Sequence, residues 1–158
     1  MKWMGAALLV FMGAAAGLIK TTTIRRSIEL LEELVALIEY IRAELRQRGT
    51  PLPDLLDQYR ASTFPLKRWA EELRAGKTAL RVVEPWLIRL EPDTGRVLFD
   101  LCSVLGRYDG ETQAQACQRA AQLLEEQAER LRRQLAEKGR LYHTVPLSLG
   151  LMAALALF

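Results

Sequence analysis

From Ala114 to Tyr142 the chain keeps a helical register without a slip. Ala114, Cys117, Ala121, Leu124, Ala128, Leu131, Leu135, Lys138 and Tyr142 step by three and four, which puts them on one narrow seam of an unbroken helix. The seam is small at Ala114, Ala121 and Ala128 and larger at Cys117, Leu124 and Leu131, so a neighbouring helix can come close along one edge. A turn precedes it, Leu105-Gly106-Arg107-Tyr108-Asp109-Gly110. Gly106 suits the left-handed end of the preceding helix. Asp109 suits the N-cap of the long one, its carboxylate accepting from the amide of Glu111 or Thr112. After the seam come residues 145–158, which carry no charge. The pattern predicts a helical domain hung from a lipid bilayer.

The beginning of the chain matches its end. Residues 3–19 are seventeen apolar residues in a row, about 25 Å of helix and the lower limit of a membrane span. A cleaved signal peptide is the rival reading, because Lys2, an apolar core and Ala14-Ala15-Ala16 also fit one. Lys20, Arg25 and Arg26 follow the run while Lys2 alone precedes it, so the positive-inside rule favours an uncleaved anchor with the following domain in the cytoplasm. Counted from Leu141, the tail gives eighteen residues, about 27 Å of helix. Lys138 and Arg140 stand on its domain side, and both basic clusters can meet anionic lipid. Gly13 with Gly17, and Gly150 with Ala154, have the spacing that lets two helices pack closely in lipid. The expected division is an N-terminal transmembrane helix over 1–22, a cytoplasmic helical bundle over 24–140 and a C-terminal transmembrane segment over 141–158.

The middle is all-α by pattern. Ile24, Ile28, Leu31, Val35, Ile38, Ile41 and Leu45 mark one face of a long helix, ended by Gly49 and Pro51. Shorter helices are expected over 52–59, with Leu52, Leu55, Leu56 and Tyr59 inward, and over 65–75, stopped by Gly76. Thr78 can cap another, carrying Leu80 and Val83, which Pro85 should break or restart by removing an amide donor. After the turn at Glu91-Pro92, Val97, Leu98, Leu101, Cys102, Val104 and Leu105 line a further amphipathic helix down to Gly106. Trp69 and Trp86 read as core anchors. No segment alternates apolar and polar residues, so no strand is expected. The count is about six helices between the two membrane segments.

Composition excludes several kinds of chemistry. The net charge of +3 comes from basic residues interleaved with Glu and Asp, the pattern of solvated helix faces and not of a nucleic-acid stripe. Cys102 and Cys117 lack the Cys-x-x-Cys spacing, and with one His in the chain no zinc ligand set can be assembled. They read as buried free thiols in a reducing compartment. Gly106-Arg107-Tyr108-Asp109-Gly110 lacks the Lys-Ser/Thr of a phosphate-binding loop. His143 has no acidic or nucleophilic neighbour in sequence, and the serines lack a nucleophile elbow. No enzyme, cofactor, metal, nucleic acid or small-molecule substrate is expected.

Leu105-Gly106-Arg107-Tyr108-Asp109-Gly110-Glu111-Thr112-Gln113, together with Leu141-Tyr142, Ser148-Leu149-Gly150-Leu151, Trp86 and Gly5, resembles the stage III sporulation protein AB family of spore-forming bacteria. The resemblance covers nearly the whole chain and departs from the family pattern at His143-Thr144-Val145-Pro146. It implies a non-enzymatic platform similar to the inner-membrane platform of type II secretion and type IV pilus machines, whose cytoplasmic domains are six-helix bundles. It further implies a place in the channel complex joining mother cell and forespore. There the protein would lie in the mother-cell membrane facing the forespore, with its bulk cytoplasmic, and couple a secretion-type ATPase to other membrane proteins. Gly106, Asp109 and Gln113 become the candidate motif or interface residues. For Asp109 and Gln113 the structural reading is a helix cap and a hydrogen bond within the same turn.

The alternative function is a generic membrane-anchored coiled coil or lipid-surface scaffold without an ATPase partner. The frequent helix breaks between 49 and 96 oppose it, since a coiled coil would be long and unpunctuated. In sealed inverted membrane vesicles, added protease should digest the middle of the chain; a middle domain left intact would refute the cytoplasmic orientation.

Overall fold

The computed structural model describes the backbone of residues 2–60 and 63–156, and the side-chain environments of 22–60 and 63–137. Six helices follow one another: α1 Lys2–Gln47, α2 Leu52–Gln58, α3 Leu66–Arg74, α4 Ala79–Leu87, α5 Pro92–Val104 and α6 Gly110–Ala156. Among the described residues there is no strand. The expected six-helix count is met with α1 and α6 included, each running unbroken through the boundary expected between bundle and membrane segment. Two compact units result. One comprises Met1–Glu29 and Ala128–Phe158, the other Leu30–Gln127.

Among the described residues no helix is long and apolar enough to cross a membrane. The two expected spans, 1–22 and 141–158, fall almost wholly outside the residues whose side chains are described, as do Lys138, Tyr142 and His143 of the expected seam and interface.

Local chemistry sets the breaks. After α1, Gly49 takes a left-handed φ of 60° and its amide and that of Arg48 both donate to the Glu44 carbonyl, at 3.2 and 2.9 Å. Pro51 then stands at the N-cap of α2, where a missing amide costs nothing. Gly76 ends α3 with φ 90°, and the Lys77 amide reaches back to the Glu72 carbonyl at 3.2 Å, closing the end as a left-handed cap does. Thr78 caps α4, its hydroxyl oxygen accepting from the Arg81 amide at 3.4 Å. Pro85 does not break α4 where the sequence suggested. It lies within the helix, which ends at Leu87. Pro85 and Arg81, whose carbonyl loses its helical donor, are exposed, so water can serve that carbonyl.

Within the Leu30–Gln127 unit, α1 and α6 lie side by side and antiparallel. Arg42 Nη2 donates to Gln118 Oε1 at 3.0 Å, and nearer the end of α1, Arg46 Nη2 is 3.7 Å from Glu111 Oε1. The α6 seam packs as its spacing predicts, with Ala114, Cys117, Ala121 and Leu124 buried. α5 runs antiparallel to α6 as well. Near one end the buried Thr94 hydroxyl donates to Gln127 Oε1 at 3.0 Å, and at the other the Gly106 amide donates to Gln113 Oε1 at 3.2 Å. On α1 the buried face is wider than one seam, because Leu34 and Leu37 are buried beside Leu31, Ile38 and Ile41.

The short helices close the core. Phe64, Trp69 and Trp86 form a cluster with ring centroids 5.8 to 6.1 Å apart, the tilted and edge-on geometry that aromatic quadrupoles favour. Arg89 lies 5.7 Å over the Trp86 ring. At the surface, Arg74 pairs with both Asp54, at 2.8 Å, and Asp57, tying α3 to α2. Leu124 has no exposed surface while Leu123 is 41% exposed. Leu124→Ala should therefore destabilise the full-length protein by about 3 kcal/mol, and Leu123→Ala by less than about 0.5 kcal/mol, as read by denaturant unfolding in detergent.

Candidate functional site

Gly106, Asp109 and Gln113 come together in one turn between α5 and α6, and polar contacts among nearby residues hold it. α5 ends at Val104 and Leu105 caps it, its amide still bonding the Leu101 carbonyl at 3.1 Å. The chain reverses through Gly106, with φ 79°. Nothing lies near the position of a Cβ there, so the requirement for glycine is conformational and not steric. Arg107 closes the turn by donating its amide to the Val104 carbonyl at 3.2 Å.

Gln113 then clamps the loop from the first turns of α6. Its Oε1 accepts from the Gly106 amide at 3.2 Å, and its Nε2 donates to the Tyr108 carbonyl. One amide side chain thus satisfies a donor and an acceptor that the helix end would leave open. Asp109 serves the N-terminus of α6. Its Oδ2 accepts from the Thr112 amide at 3.1 Å and its Oδ1 from the Thr112 hydroxyl at 2.6 Å. These bonds, the Thr112 hydroxyl first, hold the Asp109 carboxyl below the usual carboxylate range. A Cβ on Gly110 would lie 3.7 Å from the Leu45 carbonyl oxygen, ordinary contact that seats the start of α6 on the end of α1.

The sequence pointed to Asp109 and Gln113 and offered the Thr112 amide as one donor to the Asp109 carboxylate, but it did not point to the Thr112 hydroxyl, which supplies the second bond. Its signal was the Asp-x-x-Thr spacing at a helix start. Arg107 and Tyr108 were passed over as turn residues, and the clamp uses only their backbone. Tyr108 is 58% exposed, and among the described residues neither side chain has a hydrogen-bond or ion-pair partner.

Elsewhere in the bundle the chemistry is apolar. A cavity of about 70 Å3 is lined by apolar and aromatic residues and Cys102, among them Leu34, Ile38, Trp69, Val82 and Trp86. It has no charged or amide side chain to orient a ligand. Burial pushes the thiols of Cys102 and Cys117 up to about 12, far from the thiolate form that nucleophilic or redox chemistry requires. Among the described residues no group of His, Cys, Asp and Glu could hold a metal ion.

The fold and its turn define an all-helical protein of two long helices, α1 and α6, with four short ones between them in the chain. The family can be stated more closely: the stage III sporulation protein AB model matches residues 2–158, and the chain belongs to that family. Membership assigns it a role in stage III of sporulation. No curated protein and no solved structure is found to match it.

The Asp109 carboxyl titrates below its unfolded value, which for a free aspartate is about 3.9. Its cap therefore stabilises the protein above that pH and is lost as pH falls through the lower folded value. Asp109→Asn keeps an N-cap acceptor without the titration. The stability difference between the natural chain and Asp109→Asn should hold steady from neutral pH to about pH 5 and shrink below about pH 4; thermal melts of the two across that range check it.

Proposed function

We propose that this chain is a non-enzymatic, membrane-anchored platform component of a channel complex joining mother cell and forespore, coupling a secretion-type ATPase to the membrane assembly. In this reading the protein is held in the mother-cell membrane facing the forespore by its two apolar ends, with its bulk in the cytoplasm. The observation that carries the proposal is the antiparallel pairing of α1 and α6 in the Leu30–Gln127 unit. The chain enters that unit along α1 and leaves it along α6 at the same end. One helix leads back to the apolar residues 3–19 and the other on to 145–158. A hairpin anchor needs that arrangement.

Charge supports the same reading. Residues 1–29 and 128–158 together carry nine Lys or Arg against three Asp or Glu, and residues 30–127 carry thirteen against sixteen. The basic excess thus belongs to the unit that contains the apolar runs, where it suits the anionic cytoplasmic leaflet. Four short helices packed in succession, α2 on α3, α3 on α4 and α4 on α5, make a compact body suited to docking and poorly suited to an extended coiled coil. Gly106, Asp109 and Gln113 act in this proposal as the residues that shape an interface, and none contacts a substrate.

Co-purification of the full-length protein from membranes of sporulating cells, read by mass spectrometry, should recover a secretion-type ATPase together with other membrane proteins of the complex. Recovery of a folded protein without them would overturn the platform reading in favour of a generic membrane-anchored scaffold.

A further inference from the structure

We propose that the loop between α5 and α6 is a rigid docking knob. Arg107 pairs with a carboxylate on another protein, and the Tyr108 ring packs into an apolar recess beside that carboxylate. The proposal concerns the surface and the chemistry of its partner, and it does not depend on the partner being the ATPase.

Three observations carry it. The loop is held from both sides by bonds that use the backbone of residues 106–108 and leave the side chains of 107 and 108 outside. Gln113 accepts from the Gly106 amide and donates to the Tyr108 carbonyl, and the Arg107 amide is taken by Val104. A loop fixed in this way presents its side chains at a small ordering cost, which raises the yield of any contact they make. The exposed pair is also of an unusual kind. Tyrosine and arginine are the side chains most often found to dominate protein interfaces, and here they are adjacent, exposed and without partners among the described residues.

The third observation is the local charge. At this end of the bundle the Glu111 carboxylate lies by Arg46, at 3.7 Å, the Glu44 carboxylate by Arg48, at 4.0 Å, and the Asp109 carboxylate by Thr112. Among the described residues the Arg107 guanidinium has no carboxylate partner. A bidentate bond to a carboxylate suits its planar guanidinium. A nucleic acid or an anionic lipid surface suits the site badly, because the flanking Asp109 and Glu111 would meet the same polyanion. The loop also lies beside the C-terminal end of α1, as the Gly110 and Leu45 contact shows, and the apolar run of α1 is at its other terminus. A protein surface carrying one or a few carboxylates next to apolar side chains is the partner this knob fits.

Site-specific photo-crosslinking tests this in the full chain. Tyr108→p-benzoylphenylalanine, irradiated in membranes of sporulating cells, should give an adduct to a peptide of another protein with Asp or Glu near the attachment point. Adding Arg107→Glu should reduce that adduct about tenfold, as expected when an interfacial charge pair becomes a repulsion. Arg107→Lys should retain part of it, and the same photo-residue at the exposed Glu125 should give none. Because the Arg107 side chain makes no bond among the described residues, Arg107→Glu should leave the melting temperature unchanged. The proposal is overturned by the absence of a protein adduct at 108, by an adduct to lipid or nucleic acid, by an adduct indifferent to Arg107→Glu, or by a marked fall in melting temperature. The adducted peptide decides the role of the loop and the composition of the purified complex decides the ATPase coupling, so either idea can fail alone.

Discussion

The structure depends on how α6 lies beside α1. A 47-residue helix that kept large side chains along its whole inner edge would hold its neighbour away and leave the core open. Ala114 and Ala121, alternating with Cys117 and Leu124, keep the edge shallow at every second step, and all four are buried. Close packing of this kind tolerates little change in volume. The polar rungs then set the register. Arg42 reaches Gln118 and Arg46 reaches Glu111, both pairs too exposed to contribute much energy. The apolar seam provides the stability, and the rungs favour one alignment among several that the seam would permit.

With that alignment set, the turn at 105–113 has little freedom. It must reverse α5 into α6 while Gly110 sits against the end of α1. Each helix terminus there exposes backbone groups that need partners. Gln113 near the start of α6 and Asp109 just before it supply them with side chains, so these bonds need nothing from the rest of the bundle. An Asp and a Gln at such a place invite a catalytic or binding assignment, yet every polar atom of the Asp109 carboxylate and the Gln113 amide already has a bond inside the turn. Their work is to fix a shape.

Much of this was legible in the sequence because it rests on local chemistry. The glycines at 49, 76 and 106 mark left-handed positions, and Thr78 and Asp109 mark caps, since the requirement at each is met within seven residues. The seam of α6 was legible for the same reason, one period repeated. Legibility failed where the answer depends on what lies opposite. Leu34 and Leu37 fall off the single face assigned to α1, and they are buried because α1 is covered from more than one side by the packing of the short helices. Ala120 is buried beside Ala121 because α5 covers that edge of α6. Pro85 reads as a break in any local scheme, and it stays within α4, where it and Arg81 are exposed and water can serve the orphaned carbonyl. The bond from Thr94 to Gln127 spans thirty-three positions and has no local signature.

The distribution of polar bonds then separates residues that hold the fold from residues free to act outside it. In the α5–α6 turn, Gln113, Asp109 and Thr112 spend their side chains on backbone and on each other. Arg107 and Tyr108 spend only their backbone. A protein that needed this loop merely as a connection could hold it with the same clamp and carry small polar residues at 107 and 108, avoiding an exposed ring that water solvates poorly. Keeping a large aromatic and an unpaired guanidinium at the outer edge of a rigid turn has a cost in solubility and returns nothing to folding. In the docking proposal the return comes from contact with another protein.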